Sequence, residues 1–137
     1  MTPDAVVVDT NVFSAVLTRR LLASQYAEYL SGKRLIISFQ TVAEIRFGGM
    51  AAGWGEARMR EAERAIAKAA TIPPHDELAT EWASLRVECK RVGHALASKT
   101  HMSDLWIAAT ASLIGIPLVS HDAIFKGTPG LTVLTLL

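Results

Sequence analysis

Three short apolar runs, rich in β-branched residues, constrain this chain more than any other feature: Ala5-Val-Val-Val8, Arg34 to Phe39 (RLIISF) and Pro117-Leu-Val-Ser120. Each reads as a buried strand. The segments between them have helical spacing. Val12 to Thr18 starts a helix. Arg19 to Leu30 repeats apolar residues at Leu21, Leu22, Tyr26, Tyr29 and Leu30 until Ser31-Gly32 stops it. Thr41 to Met50 reads as a helix broken at Gly48-Gly49. Glu56 to Ala70 is a charged helix with i,i+3 and i,i+4 pairs, ended by Pro73-Pro74. Thr71-Ile72 reads as a minimal strand, Asp76 to Arg91 as an amphipathic helix, and Val92 to Lys99 as a loop or partly helical piece. Ser103 to Ile114 is apolar nearly all round and predicts a central helix capped by Gly115. Asp122 to Phe125 fits one helical turn, and Leu131 to Leu137 alternates like a last strand. Strands alternating with helices predict an α/β fold, three-layer α/β/α with a central, mostly parallel sheet. A length of 137 residues fits one domain, 1–137, that buries about two-thirds of the unfolded chain's surface.

Composition then narrows the function classes. The formal net charge is +1, so binding nucleic acid through bulk charge is not expected. The single cysteine, Cys89, excludes an intramolecular disulfide and reads as a buried thiol. The N-terminus lacks the pattern of a signal peptide. No apolar run approaches the ~20 residues that a membrane span needs. The expected location is the cytoplasm.

Of thirteen acids, four stand apart from the polar helix faces. Asp9 directly follows a buried strand, and Asp122 lies two residues past another. In an open α/β sheet, ligands bind at the carboxyl ends of the strands. Glu44 lies early in the helix after the second strand, and Asp104 in the first turn of the apolar helix. Helices that follow parallel strands begin at that same sheet edge, so all four acids can converge. Asn11 adds a neutral oxygen beside Asp9. Each acid also has a plainer reading. Asp9 and Asp122 suit caps or turns, Asp104 suits a helix dipole, and Glu44 suits a solvated helix face.

Electrostatics favours the cluster as a metal site. Two carboxylates ~5 Å apart repel by about 3 kcal/mol at an effective dielectric near 20. Four such groups without cations would strain a domain stable by only ~5–15 kcal/mol, or would take up protons. Oxygen-only ligands select Mg2+ or Mn2+ over Zn2+. Such a centre suits hydrolysis of phosphodiesters by in-line displacement.

The four acids sit in VVVDTNVFS (Asp9, Asn11), TVAEIRFG (Glu44), SDLWIAATA (Asp104) and VSHDAIF (Asp122). In order, neighbours and spacing these segments resemble PIN-domain nucleases, and among them the VapC-type toxins of bacterial VapBC toxin–antitoxin pairs. The resemblance runs from Val6 to the final strand. It implies a parallel-sheet α/β/α domain, Mg2+- or Mn2+-dependent cleavage of RNA, a homodimer, and inhibition by a small VapB-like antitoxin. It further implies that Asp9, Glu44, Asp104 and Asp122 are the catalytic and metal-binding acids, with Asn11 in support. The region between Glu44 and Pro73 resembles the arm that contacts antitoxin or the second subunit.

Other residues carry weaker signals. Arg46, Lys99 and Lys126 lie near the acids in sequence and are possible RNA backbone contacts, with solvated or salt-bridged roles as the alternative. His101 and His121 neighbour the acids and suit contact with phosphate or metal, or surface and capping roles. Trp82 and Trp106 read as core, with base stacking as the alternative. Two other functions fit the pattern less well. A phosphotransfer or phosphatase domain would use Asp9 as acceptor, but Asn11 stands where a dehalogenase-type hydrolase wants a second Asp, and no P-loop glycine pattern exists. A non-catalytic interaction module with the same fold would not need an intact set of four acids.

Overall fold

In the computed structural model, which describes residues 4–137, five parallel strands form one sheet. They are β1 (Ala5–Val8), β2 (Arg34–Ser38), β3 (Ala70–Ile72), β4 (Leu118–Val119) and β5 (Val133–Leu134), in the order β3-β2-β1-β4-β5. The chain lays down β1, β2 and β3 outward in one direction, then returns to place β4 on the other side of β1. That reversal makes the gap between β1 and β4 the switch point, where an open parallel sheet leaves a crevice at its carboxyl edge.

Among the described residues seven helices connect the strands: α1 (Thr10–Leu17), α2 (Leu21–Gln25), α3 (Ala27–Leu30), α4 (Phe39–Ala51), α5 (Glu56–Lys68), α6 (Asp76–Val92) and α7 (Met102–Ile114). Single 3-10 turns lie at Ala95–Ala97, Lys99–His101 and Ala123–Phe125. The pleat sorts the strand side chains into two cores. Val7, Ile36 and Leu118 face α6 and α7 and pack with Leu78, Leu85 and Leu105. Val6, Val8, Ile37 and Val119 face the other way, against Val12 and Phe13 of α1, Ile45 of α4 and Ile66 of α5. The register agrees with this sorting: Val7 pairs with Ile36 and with Leu118, and Val8 with Val119. Both faces of the central strands are therefore covered, which is why their sequences are continuous apolar runs. Gly115 ends α7 at φ 67°, a left-handed conformation that glycine adopts without a Cβ penalty.

The structure corrects three expectations. Gly48-Gly49 does not break α4, which runs through to Ala51. Gly49 is buried, and a Cβ there would meet the Met59 sulfur at 2.7 Å and the Trp54 ring at 2.9 Å. This glycine admits the return of the chain against the helix. The segment from Arg19 to Leu30 is two short helices, because Tyr26 leaves helical geometry at φ −94°, ψ 8° and turns inward. Its hydroxyl lies against Ser120 O, His121 Nδ1 and Thr135 Oγ1, and accepts the Leu136 N–H. The last strand is limited to two residues because its neighbour β4 is only two residues long, and beyond them Leu136 bonds Tyr26 instead. Trp82 and Trp106 stack with ring centroids 5.3 Å apart and pack on the core. Cys89 is buried, and burial pushes its thiol above the ordinary range.

Candidate active site

Asp9 is the residue at which β1 becomes α1. Its backbone is extended, at φ −72° and ψ 169°, and its side chain caps the helix: Oδ1 accepts the Val12 N–H at 2.8 Å. From the neighbouring strand end, the Ser120 hydroxyl donates to Oδ2 at 2.5 Å. The backbone stitches the same corner, with the Asp9 N–H donating to Val119 O at 3.1 Å. Only 3% of Asp9 is exposed. Burial pushes its carboxyl above the ordinary carboxylate value and the nearby Asp122 charge adds to this, against the opposing hydrogen bonds from Ser120, Val12 and His121.

Ser120 is itself fully buried and works in two directions. While donating to Asp9, its oxygen accepts the Asp122 N–H at 3.0 Å. Asp122 then caps the following turn, with Oδ1 accepting the Ile124 N–H at 3.0 Å. Glu44 comes from the second turn of α4, where its Oε1 accepts the Thr10 hydroxyl at 2.6 Å. Asp104 lies in the first turn of α7 and pairs through Oδ2 with His101 Nδ1 at 3.1 Å.

These four segments meet in one pocket of about 120 Å3, lined by Asp9, Thr10, Asn11, Glu44, Asp104 and Asp122. Ile107 and Phe125 supply its apolar wall. The amino ends of α1 and α7 border the same pocket, and their positive dipole ends offset part of the carboxylate charge.

The pocket is chemically suited to a hard divalent cation. Its acidic donors are all oxygens. Glu44, Asp104 and Asp122 each commit one oxygen to a protein donor, and among the described residues the second oxygen of each has no protein partner. Among the described residues, no group of three or more His, Cys, Asp or Glu side chains already stands as a ligand cage. Mg2+ does not require one, since it keeps several waters and takes one or two carboxylates plus substrate phosphate.

Of the residues singled out from sequence, the pocket brings together all four acids and Asn11. Arg46 is elsewhere: it forms a two-pronged pair with Glu63 of α5, at 2.7 and 3.0 Å. Lys99 is exposed on the turn that precedes α7, and Lys126 Nζ bonds the Leu137 carbonyl at 3.3 Å. His121 is held by Tyr26 and does not line the pocket. Thr10, Thr41 and Ser120 carry the hydrogen bonds of the site but were not legible as candidates. Serine and threonine are common everywhere, and no periodicity marks them. The DTN and LVSHD spacings were the available signal, since each places a hydroxyl one or two residues from an acid.

A family model described as PIN domain matches residues 6–131. This chain belongs to the PIN-domain family. Within it, the protein is similar to ribonuclease VapC5 of Mycobacterium tuberculosis, with 33% identity over 131 residues, covering 94% of this chain and 91% of that one. Ribonuclease VapC4 of the same organism is 30% identical over 129 residues, covering 93% and 94%. Among solved structures, this PIN domain resembles a chain of VapBC-5, a toxin–antitoxin system of M. tuberculosis, with a TM-score of 0.72 at 29% identity, covering 98% and 100%. A chain of VapBC2 from Rickettsia felis, crystallised with a promoter DNA fragment, superposes with a TM-score of 0.77, covering 96% of this PIN domain and 98% of that chain. Its identity is 18%, so it speaks for the fold.

Proposed function

We propose that this PIN-domain protein is a metal-dependent endoribonuclease, the toxin of a type II toxin–antitoxin pair, and that Asp9, Glu44, Asp104 and Asp122 form its catalytic centre with Mg2+ or Mn2+. The observation that carries this reading is the convergence of four carboxylates, from four separate chain segments, on one small pocket at the sheet's switch point. The similarity to ribonucleases VapC5 and VapC4 supports RNA as substrate. The similarity to a chain of VapBC-5, a toxin–antitoxin system, supports a VapB-like antitoxin as partner. The same reading takes the toxin itself as a homodimer.

In this mechanism Asp9 is the fixed anchor. Held by Ser120 and the amino end of α1, it cannot turn away when charge enters the pocket. Asp104, Asp122 and Glu44 would hold the cation through the oxygens they leave open, and Asn11 would orient a polar group of the substrate. When bound, the cation supplies Lewis-acid stabilisation of the charge that develops on the phosphoryl oxygens. Ile107 and Phe125 keep bulk water off one side of the reacting centre. A phosphoacceptor role for Asp9 is the weaker reading, because Asn11 stands where a dehalogenase-type hydrolase wants a second Asp.

The test is cleavage of total cellular RNA by antitoxin-free protein without metal, with Mg2+ and with Mn2+. Metal-dependent fragments that Asp9→Asn abolishes are expected. Full cleavage by Asp9→Asn would remove the catalytic assignment. A folded parent that cleaves nothing would favour an interaction module.

A further inference from the structure

Glu44 reaches the pocket differently from the other acids. Asp9 and Asp122 cap helical turns through their own local backbone, and Asp104 pairs with His101 three residues away. Glu44 has the longer side chain, with one more rotatable bond and more rotamers to lose. No side chain of its own helix α4 hydrogen-bonds its carboxylate. Among the described residues, the side chain that hydrogen-bonds it is Thr10, 34 residues earlier in the chain.

The hydroxyl geometry has a defined direction. Thr10 has one hydroxyl proton, and it goes to Glu44 Oε1 at 2.6 Å, the length of a charge-assisted bond. The second contact of Thr10 Oγ1, to Thr41 Oγ1 at 3.0 Å, must then be one it accepts. Thr41 is fully buried, and its hydroxyl is not among the buried polar atoms left without a partner. Its proton therefore points to Thr10. Thr41 and Glu44 are three residues apart on α4 and share a face. Thr10, the first residue of α1, bridges them. Both threonines are β-branched and restricted at χ1, and Thr41 is held further by its complete burial.

We propose that Thr41 and Thr10 are positioning residues: Thr41 Oγ1–H donates to Thr10, Thr10 Oγ1–H donates to Glu44 Oε1, and this relay holds the Glu44 carboxylate against the acidic pocket. The catalytic consequence rests on the nuclease reading above, but the positioning itself rests on the geometry alone. Neither threonine transfers a proton in the reaction. Loss of such an outer partner typically costs 10–100-fold in metal affinity or activity.

The experiment compares the full chain with Thr10→Val, Thr10→Ser, Thr41→Val, Glu44→Gln and the Thr10→Val/Glu44→Gln double variant. Mn2+ binding is measured by calorimetry, RNA cleavage by kcat and KM, and the Thr10→Val protein is crystallised. Thr10→Val is expected to weaken Mn2+ binding about 10–100-fold and to lower kcat by a similar factor, with KM little changed. Thr10→Ser restores both to within a few fold. Thr41→Val gives a smaller loss in the same direction and leaves α1 untouched. The double variant loses no more than Glu44→Gln alone, because the relay acts through that carboxylate. Parental Mn2+ affinity and kcat in Thr10→Val, failure of serine to rescue, or additive losses would each overturn the proposal. Should the parent neither bind Mn2+ nor cleave RNA, the nuclease reading fails and the crystal structure still decides the relay. A Glu44 carboxylate withdrawn from the pocket in Thr10→Val sustains it, and an unmoved one refutes it.

Discussion

Asp9 is the side chain on which charge, burial and chain geometry bear most heavily. Its carboxyl titrates above the ordinary value, first because it is buried. The folded chain therefore binds that proton more tightly than the unfolded chain. The ionised group costs stability above its folded titration range, and the cost fades as pH falls through the window between the folded and the ordinary value. Asparagine carries no such cost. It can still accept from Val12, and its amide can donate to Ser120. In metal-free protein, Asp9→Asn is expected to melt higher than the parent near neutral pH, with the difference narrowing as pH falls through that window. A mutant that melts lower at every pH would show that the carboxylate is mainly a structural cap. Tyr26 is a residue-scale case of the opposite kind. Its phenyl ring is core, but its hydroxyl accepts Leu136 N–H and lies on Ser120 O, tying the chain end to the strand end that carries Asp122. Tyr26→Phe leaves the buried Ser120 carbonyl short of a donor and should cost about 1–3 kcal/mol in chemical denaturation.

Among the elements, α4 holds the sharpest contrast. Adjacent glycines occupy its last full turn, yet only one is required. A Cβ at Gly48 meets nothing within 4 Å, so Gly48→Ala should gain about 0.5–1 kcal/mol from helix propensity. A Cβ at Gly49 meets the Met59 sulfur and the Trp54 ring, so Gly49→Ala should lose about 1–3 kcal/mol by overpacking, despite the same propensity gain. Equal effects of the two substitutions on urea midpoints would contradict this packing account. The pair between Arg46 of α4 and Glu63 of α5 is well formed but half exposed, at 49% and 45% of the side chains. Such pairs contribute about 0–1 kcal/mol. Arg46→Ala should therefore change stability little and leave RNA cleavage near parental, since this guanidinium is committed to Glu63 and lies outside the pocket lining. A large loss of RNA affinity would return Arg46 to the substrate path.

At the scale of the whole molecule, the fold places the ends of separate segments at one edge and gathers negative charge there. A cation that binds only the native state stabilises it by mass action, by about 2.7 kcal/mol at one hundred times its dissociation constant. Mn2+ should accordingly raise the melting temperature of the parent and do so far less for Asp9→Asn. An equal rise in both would place the ion elsewhere.

The sequence by itself determined the layers, the parallel strands and which acids share one pocket. Apolar runs without alternation require cover on both faces, and helical periodicity between them supplies it. Asp9 directly after one such run and Asp122 just past another therefore had to reach the same edge. The sequence also carried the PIN-domain resemblance, which lies in those same segments. What it did not determine depends on contacts between residues far apart in the chain. Gly48-Gly49 reads locally as a helix breaker, and only the approach of Trp54 and Met59 explains why the helix continues. The spacing around Tyr26 is helical, and the break there comes from a hydroxyl that bonds residues some ninety positions later. Thr10, Thr41 and Ser120 look like ordinary small polar residues until the fold brings them against Glu44 and Asp9. Local propensity is written along the chain. A hydrogen bond across 34 or 111 residues exists only once hydrophobic burial has fixed both ends.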